Sequence, residues 1–181
     1  LLYEKYKSTY GYFPGPHIAK AILLTSINTS GMQTDGYTQR NNVYGGGRID
    51  ANEVLRIMNF TRNRTIVQSQ TNVYYINLTN SSARVTLYWP ENSTVSNNLD
   101  LIVGNDTLNY TYQTDSRDNV EQVFIYNSTN GIWKIYVNGT TVSGSQEFYL
   151  ASNTEFVDFI TIESPLNRTY TTGVHFNMTT S

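Results

Sequence analysis

The chain holds two histidines, His17 and His175, among 181 residues. A hydrolytic serine needs a histidine within hydrogen-bond reach and a third group to orient that histidine. Ser26 and Ser30 follow His17, but no Gly-x-Ser-x-Gly elbow marks an activated serine. His17 opens an apolar helical stretch and reads as a residue that packs or caps. The chain has no cysteine, which removes thiol nucleophiles, thiolate zinc sites and disulfides together. Paired carboxylates could hydrolyse a glycoside. Asp50 and Glu53, however, have the spacing of a helix start, and Glu147, Glu155, Asp158 and Glu163 read as a solvated strand face. Gly45-Gly46-Gly47 lacks the Lys-Ser/Thr ending of a phosphate loop and reads as a tight turn. Asp100, Asp118 and Glu121 flank a Gly/Asn-rich loop region and are the candidate calcium ligands, since calcium takes hard oxygen donors from loops. The competing account of Asp118 is that it makes a turn. Tyr74, Tyr75, Tyr110 and Tyr112 could stack on sugars, although strand packing is the simpler account.

Asparagine offers a further chemistry. The acceptor pattern Asn-x-Ser/Thr occurs at Asn28, Asn59, Asn63, Asn77, Asn80, Asn92, Asn105, Asn109, Asn127, Asn138, Asn167 and Asn177. These are 12 of the 21 asparagines, where chance placement among the Ser and Thr of this chain gives about 4 to 5. N-linked glycans are therefore expected, and with them an extracellular or cell-surface location. Net charge is -2, from 12 basic and 14 acidic side chains. That balance excludes a phosphate-binding surface, so no nucleic acid partner is expected. Charged residues make up only 14%, and hydroxyls and amides take their place. Such a chain loses little stability to carboxylate protonation and suits an acidic setting. Leu1-Leu2-Tyr3-Glu4-Lys5 has no basic segment followed by an apolar one, so a secretion signal is expected upstream.

These groups must be positioned by two unlike segments. Leu1 to Tyr10 has helical spacing, and Pro16 stands at the first turn of a helix continuing to Ser26. That helix is apolar almost all round and is expected to be buried. Asp50 and Glu53 have the form of a capping box for a helix ending near Met58. From Thr65 the period changes to two. Strands are expected at 73–78, 83–89, 99–103, 121–126, 133–137, 146–150 and 157–162. Turn signals at Pro90-Glu91-Asn92, Gly104-Asn105-Asp106, Asn130-Gly131 and Asn138-Gly139 separate them. Residues 172–177 are expected to form a last strand or to belong to a linker. The result is mainly β, an antiparallel sandwich or jelly roll preceded by helices.

Pro16, Ile18, Lys20-Ala21, Leu23-Leu24 and Ser26, followed by Gly45-Gly46-Gly47-Arg48-Ile49-Asp50-Ala51, resemble the end of the catalytic domain of subtilisin-like serine peptidases. Leu1 to Tyr6 is similar to the distal part of that family's nucleophile helix. Val85–Trp89, Asn98–Val103, Asp118–Val123 and Gly131–Leu150 resemble the β-sandwich appended to secreted members. The resemblance implies a helical remnant of an α/β catalytic domain at 1–62, a sandwich at 63–164, and a last strand or linker at 165–181. The family's Gly-Thr-Ser-Met-Ala-x-Pro motif is absent from this sequence, so no catalytic residue is carried over. The resemblance implies an endopeptidase acting on peptide substrates through residues upstream of Leu1. It also implies that the apolar helix 17–25, lacking its sheet, is covered by that catalytic portion or by another chain. A non-enzymatic glycosylated surface, appendage or S-layer component is the rival expectation.

Overall fold

The computed structural model describes residues 1–28, 47–80, 82–91, 97–105, 109–111, 119–158, 160–161 and 179–180. It is mainly β and antiparallel, a sandwich preceded by helices. Three helices, α1 (Leu2–Tyr10), α2 (Pro16–Thr25) and α3 (Ala51–Ile57), come first. A two-strand ladder of β1 (Ile27–Asn28) and β2 (Arg48–Ile49) joins α2 to α3. Eight strands follow: β3 (Thr61–Val67), β4 (Thr71–Leu78), β5 (Ala83–Tyr88), β6 (Asn98–Gly104), β7 (Asn109–Thr111), β8 (Val120–Ile125), β9 (Gly131–Thr141) and β10 (Ser145–Ser152). They form two sheets, β3-β10-β5-β8 and β4-β9-β6-β7. Almost every connection crosses from one sheet to the other. β11 (Ile160–Thr161) and β12 (Thr179–Thr180) pair separately.

The helices start and stop where local chemistry dictates. Pro16 sits in the first turn of α2, where its missing N–H costs nothing. α1 ends at Gly11, whose φ of 82° lies in the left-handed region that a side chain disfavours. Asp50 caps α3 by accepting from the amides of Asn52 (2.9 Å) and Glu53 (3.2 Å). The expected reciprocal half of the capping box is not made. The Asp50 amide donates instead to the Ser26 carbonyl, and Glu53 pairs with Arg56 at 2.6 Å.

Three layers result. Between the sheets, Ile66, Ile76, Val85, Leu87, Trp89, Leu101, Val103, Trp133, Ile135, Val137, Phe148 and Leu150 form the principal core. A second core lies between the helices and the outer face of β3-β10-β5-β8. There Leu2, Tyr6, Ala19, Ala21, Ile22, Val54 and Ile57 meet Tyr88, Val120 and Ala151. This second layer explains why β5 and β8 are buried on both faces rather than alternating with solvent. It also corrects the expectation that α2 has no sheet: α2 lies on β5 and β10 of its own chain. Arg84 Nη1 donates to the Thr25 carbonyl (3.2 Å) and Gln122 Nε2 to that of Leu24 (3.0 Å), which satisfies the orphan carbonyls at the end of α2.

Two further expectations are corrected. Asn138-Gly139 does not end a strand; β9 continues to Thr141 with a register shift opposite Asn98 and Leu99. The carbonyl of Val67 lies so close that a Cβ on Gly139 would collide with it, so the glycine serves close approach rather than a turn. Gln68 and Gln70 lock this corner, with the Gln68 amide bonding the Thr140 carbonyl and the Val142 amide. The strand expected at 157–162 is broken. Phe156 makes one bridge to Ile76, Val157 and Asp158 are not in a strand, and among the described residues of this span Ile160–Thr161 is the part that forms one. The tail expectation at 172–177 lies outside the described residues.

Candidate functional site

His17 stands at the start of α2, where its ring faces those of Tyr88 (5.9 Å) and Tyr149 (5.6 Å). Its Nδ1 lies 3.3 Å from the Tyr88 hydroxyl. Lys20 Nζ lies over the Tyr88 ring at 4.2 Å from its centroid. Ser26 Oγ donates back to the Leu23 carbonyl at 2.8 Å, a local helix-end bond that leaves its oxygen no base. No serine–histidine pair is recorded among the described residues; Ser30 and His175 lie outside them. Asp158 is engaged by Arg62 at 3.0 Å, and Glu155 is exposed. Glu163, with Gly45 and Gly46, lies outside the described residues.

Of the calcium candidates, Asp118 lies outside the described residues. Asp100 alternates with the buried Leu99 and Leu101 and so faces outward from β6, accepting from Asn98 Nδ2 (3.2 Å) and Thr140 Oγ1 (2.5 Å). Glu121 is buried inside the sandwich, where Oε2 accepts from the Leu101 amide at 2.5 Å. The residues on either side of it, Val120 and Gln122, turn to the helical layer, so Glu121 bridges the two sheets. Adjacent strand positions point to opposite faces, so Asp100 and Glu121 serve different surfaces. Among the described residues no group of three or more His, Asp or Glu has metal-binding proximity.

Burial holds several tyrosine hydroxyls above their usual range near 10. Tyr149 is pushed up to about 12, first by burial and then by a hydrogen bond with Glu147. Burial also raises Tyr88, Tyr6, Tyr10 and Tyr74, with Tyr12 adding to the rise at Tyr6. A phenol is neutral when protonated, so in this range the folded chain binds more protons than the unfolded one. Stability is then full below the usual tyrosine range and falls as pH climbs from about 10 to about 12. Denaturant midpoints measured across that interval, with tyrosinate absorbance followed in parallel, are expected to drop together.

The asparagines sort by position. Asn28, Asn59, Asn63, Asn77, Asn80 and Asn127, all in acceptor patterns, are exposed, and Asn105 and Asn138 are half-buried. Outside the pattern Asn52 and Asn130 are exposed too, but three others are spent on internal bonds. Asn97 is buried, giving Nδ2 to Gln146 (2.6 Å) and accepting from the Ser143 amide (2.9 Å). Asn119 donates to the Trp89 carbonyl (2.7 Å), and Asn153 accepts from the Arg84 amide (2.6 Å). Asn109 stands on β7, its side chain outside the described set, as are Asn92, Asn167 and Asn177 entirely. Which of the asparagines outside the pattern turn inward is invisible in the sequence, where all of them sit in similar polar contexts.

An apolar groove runs along the side of α2 turned away from the sandwich. It encloses about 430 Å³ and is lined by Tyr3, Pro16, Ala19, Lys20, Leu23, Leu24, Ile27, Gly47 and Ile49. Leu23 and Leu24 are half-buried, and Ile49 is 58% exposed. No described helix is long and apolar enough to cross a membrane.

No family model and no curated protein matches the chain. Among solved structures it is similar to Aeromonas hydrophila PliG, a periplasmic lysozyme inhibitor of g-type lysozyme, at 13% identity and a TM-score of 0.34, over 52% of this chain and 84% of that one.

Proposed function

We propose that this chain is the non-catalytic, glycan-bearing back end of an extracellular subtilisin-like serine endopeptidase, whose sandwich stabilises or attaches a catalytic portion carried on other residues. The observation that carries the extracellular part is the sorting of asparagines. An amide that bonds inward cannot carry a sugar on Nδ2, whereas an amide at the surface can, and none of the acceptor asparagines with a described side chain is buried. The peptidase part rests on the resemblance of Pro16–Ser26 and Gly45–Ala51, and the groove supports it. α2 is apolar on two sides, and its own chain supplies one sheet. The open side, with Leu23, Leu24, Ile27 and Ile49, has the character of a helix face made to meet further core. Peptide hydrolysis would then fall to the portion docked there, through a serine acylated by substrate, a histidine moving the proton and backbone donors holding the oxyanion.

Production from a reading frame extended upstream, in a host that N-glycosylates, tests both parts. The longer product is expected to react with a serine-directed fluorophosphonate and to hydrolyse casein. The 181-residue chain is expected to do neither. Intact mass is expected to fall on treatment with a peptide-N-glycosidase. An extended frame without a Gly-Thr-Ser-Met-Ala-x-Pro nucleophile motif removes the peptidase reading. An unchanged mass removes the extracellular one. The second reading is a non-enzymatic surface or S-layer component, which would assemble into lattices or filaments.

A further inference from the structure

The segments Tyr75-Ile76-Asn77-Leu78-Thr79 on β4 and Tyr136-Val137-Asn138-Gly139-Thr140 on β9 share one pattern, a tyrosine two residues before an acceptor asparagine and a threonine two after. A strand repeats its facing every two residues. Ile76 and Leu78 are buried, as are Val137 and Gly139, so the tyrosine and asparagine of each segment share the outer face of β4-β9-β6-β7. Two strand residues advance about 6.6 Å, which sets an N-linked sugar within reach of the ring on the same face.

We propose that Tyr75 and Tyr136 are glycan seats: the proximal pyranose of an N-linked glycan on Asn77 rests on the Tyr75 ring, and that on Asn138 rests on the Tyr136 ring. This rests on the glycosylation reading above and adds which sites are ordered and by what. A pyranose presents C–H groups on one face, and these meet the negative face of an aromatic ring. The site at Asn138 is oriented as well: Thr71 Oγ1 donates to its Oδ1 at 2.8 Å, which leaves Nδ2, the atom that bears the sugar, turned away. β4 and β9 are antiparallel neighbours with Val73 opposite Tyr136, Tyr75 opposite Lys134 and Asn77 opposite Ile132. The two units therefore run in opposite directions, with both rings between the two asparagines. The same face exposes Val73 (43%) and Ile132 (45%), apolar surface that the seated sugars cover. No other acceptor asparagine of the chain has Phe, Tyr or Trp two residues before it. Asn63 on β3, preceded at that spacing by Thr61, is the internal control.

The test uses the glycosylated 181-residue chain with its glycans trimmed to the first sugar. Glycopeptide masses report occupancy, sugar-proton NMR reports ring contact, and thermal unfolding is compared for Tyr75→Leu and Tyr75→Phe, each with Asn77 intact and with Asn77→Gln. Expected are sugar protons at Asn77 and Asn138 displaced upfield relative to those at Asn63. Tyr75→Leu should lower the midpoint about 2–4 °C more in the glycosylated background than in the Asn77→Gln one, and Tyr75→Phe should keep the coupling. Occupied sites with no displacement and no coupling overturn the seats and leave the glycosylation reading standing. Bare Asn77 and Asn138 beside an occupied Asn63 do the same. A chain bare at every sequon overturns both.

Discussion

A chain shortened to begin at Phe60 is expected to lose its soluble folded state. Such a fragment keeps all eight strands of the sandwich, yet the outer face of β3-β10-β5-β8 is not a water-facing surface. Tyr88, Val120, Tyr149 and Ala151 pack there under α1, α2 and α3. Removing the helices exposes these side chains together as a contiguous apolar patch, a recognised liability for association. It also strips Arg84 and Gln122 of the carbonyls of Thr25 and Leu24. Each such partner is worth about 1–3 kcal/mol when the group left behind stays buried. Size-exclusion chromatography and urea unfolding of the fragment against the whole chain check this. A monomeric fragment with an unchanged urea midpoint would show that the helices only decorate an independent sandwich.

Trp133→Ala is expected to cost about 3–5 kcal/mol, or roughly 6–20 °C in thermal midpoint for a chain of this size. Trp133 is 1% exposed on β9, the strand that pairs with both β4 and β6 in the middle of its sheet. Its indole Nε1 donates to the Thr129 carbonyl at 3.1 Å, so the substitution leaves a cavity and removes a bond from the turn that feeds β9. The neighbours cannot close the gap, because Ile76 stands directly opposite on β4 and Ile135 follows on β9 itself, both held in register by the ladder. Circular dichroism during heating measures the shift. Trp133→Phe, which fills most of the volume but makes no indole bond, should recover more than half of the loss.

Much of the strand layer was legible. β5, β6, β8, β9 and β10 appear within a few residues of where the change of period and the Asn130-Gly131 signal put them. α2 follows from Pro16 and its apolar run, and α3 from Asp50. Local readings failed where a distant segment supplied the missing partner. Asn138-Gly139 has the composition of a turn, but the carbonyl of Val67, more than sixty residues earlier, keeps the glycine inside a strand. Glu53 has the spacing to close a capping box, yet the Ser26 carbonyl takes the Asp50 amide first. Glu121, a candidate loop ligand by spacing, is a buried carboxylate bonded to the Leu101 amide of the opposite sheet.

The candidate site divides in the same way. Composition and spacing alone determined where sugars could attach, that thiol chemistry is absent, and that short antiparallel strands follow a helical segment, because these depend on residue identity and on periods of two and 3.6. Tertiary structure alone decided which asparagines face solvent and which are spent as internal hydrogen-bond partners. It also gave α2 a sheet from its own chain on one side and, among the described residues, a groove on the other, and set Tyr75 and Tyr136 on one face with acceptor asparagines. Those outcomes depend on which strands pair and which layer covers them, and pairing across sixty or more residues is settled by the packing of the whole core.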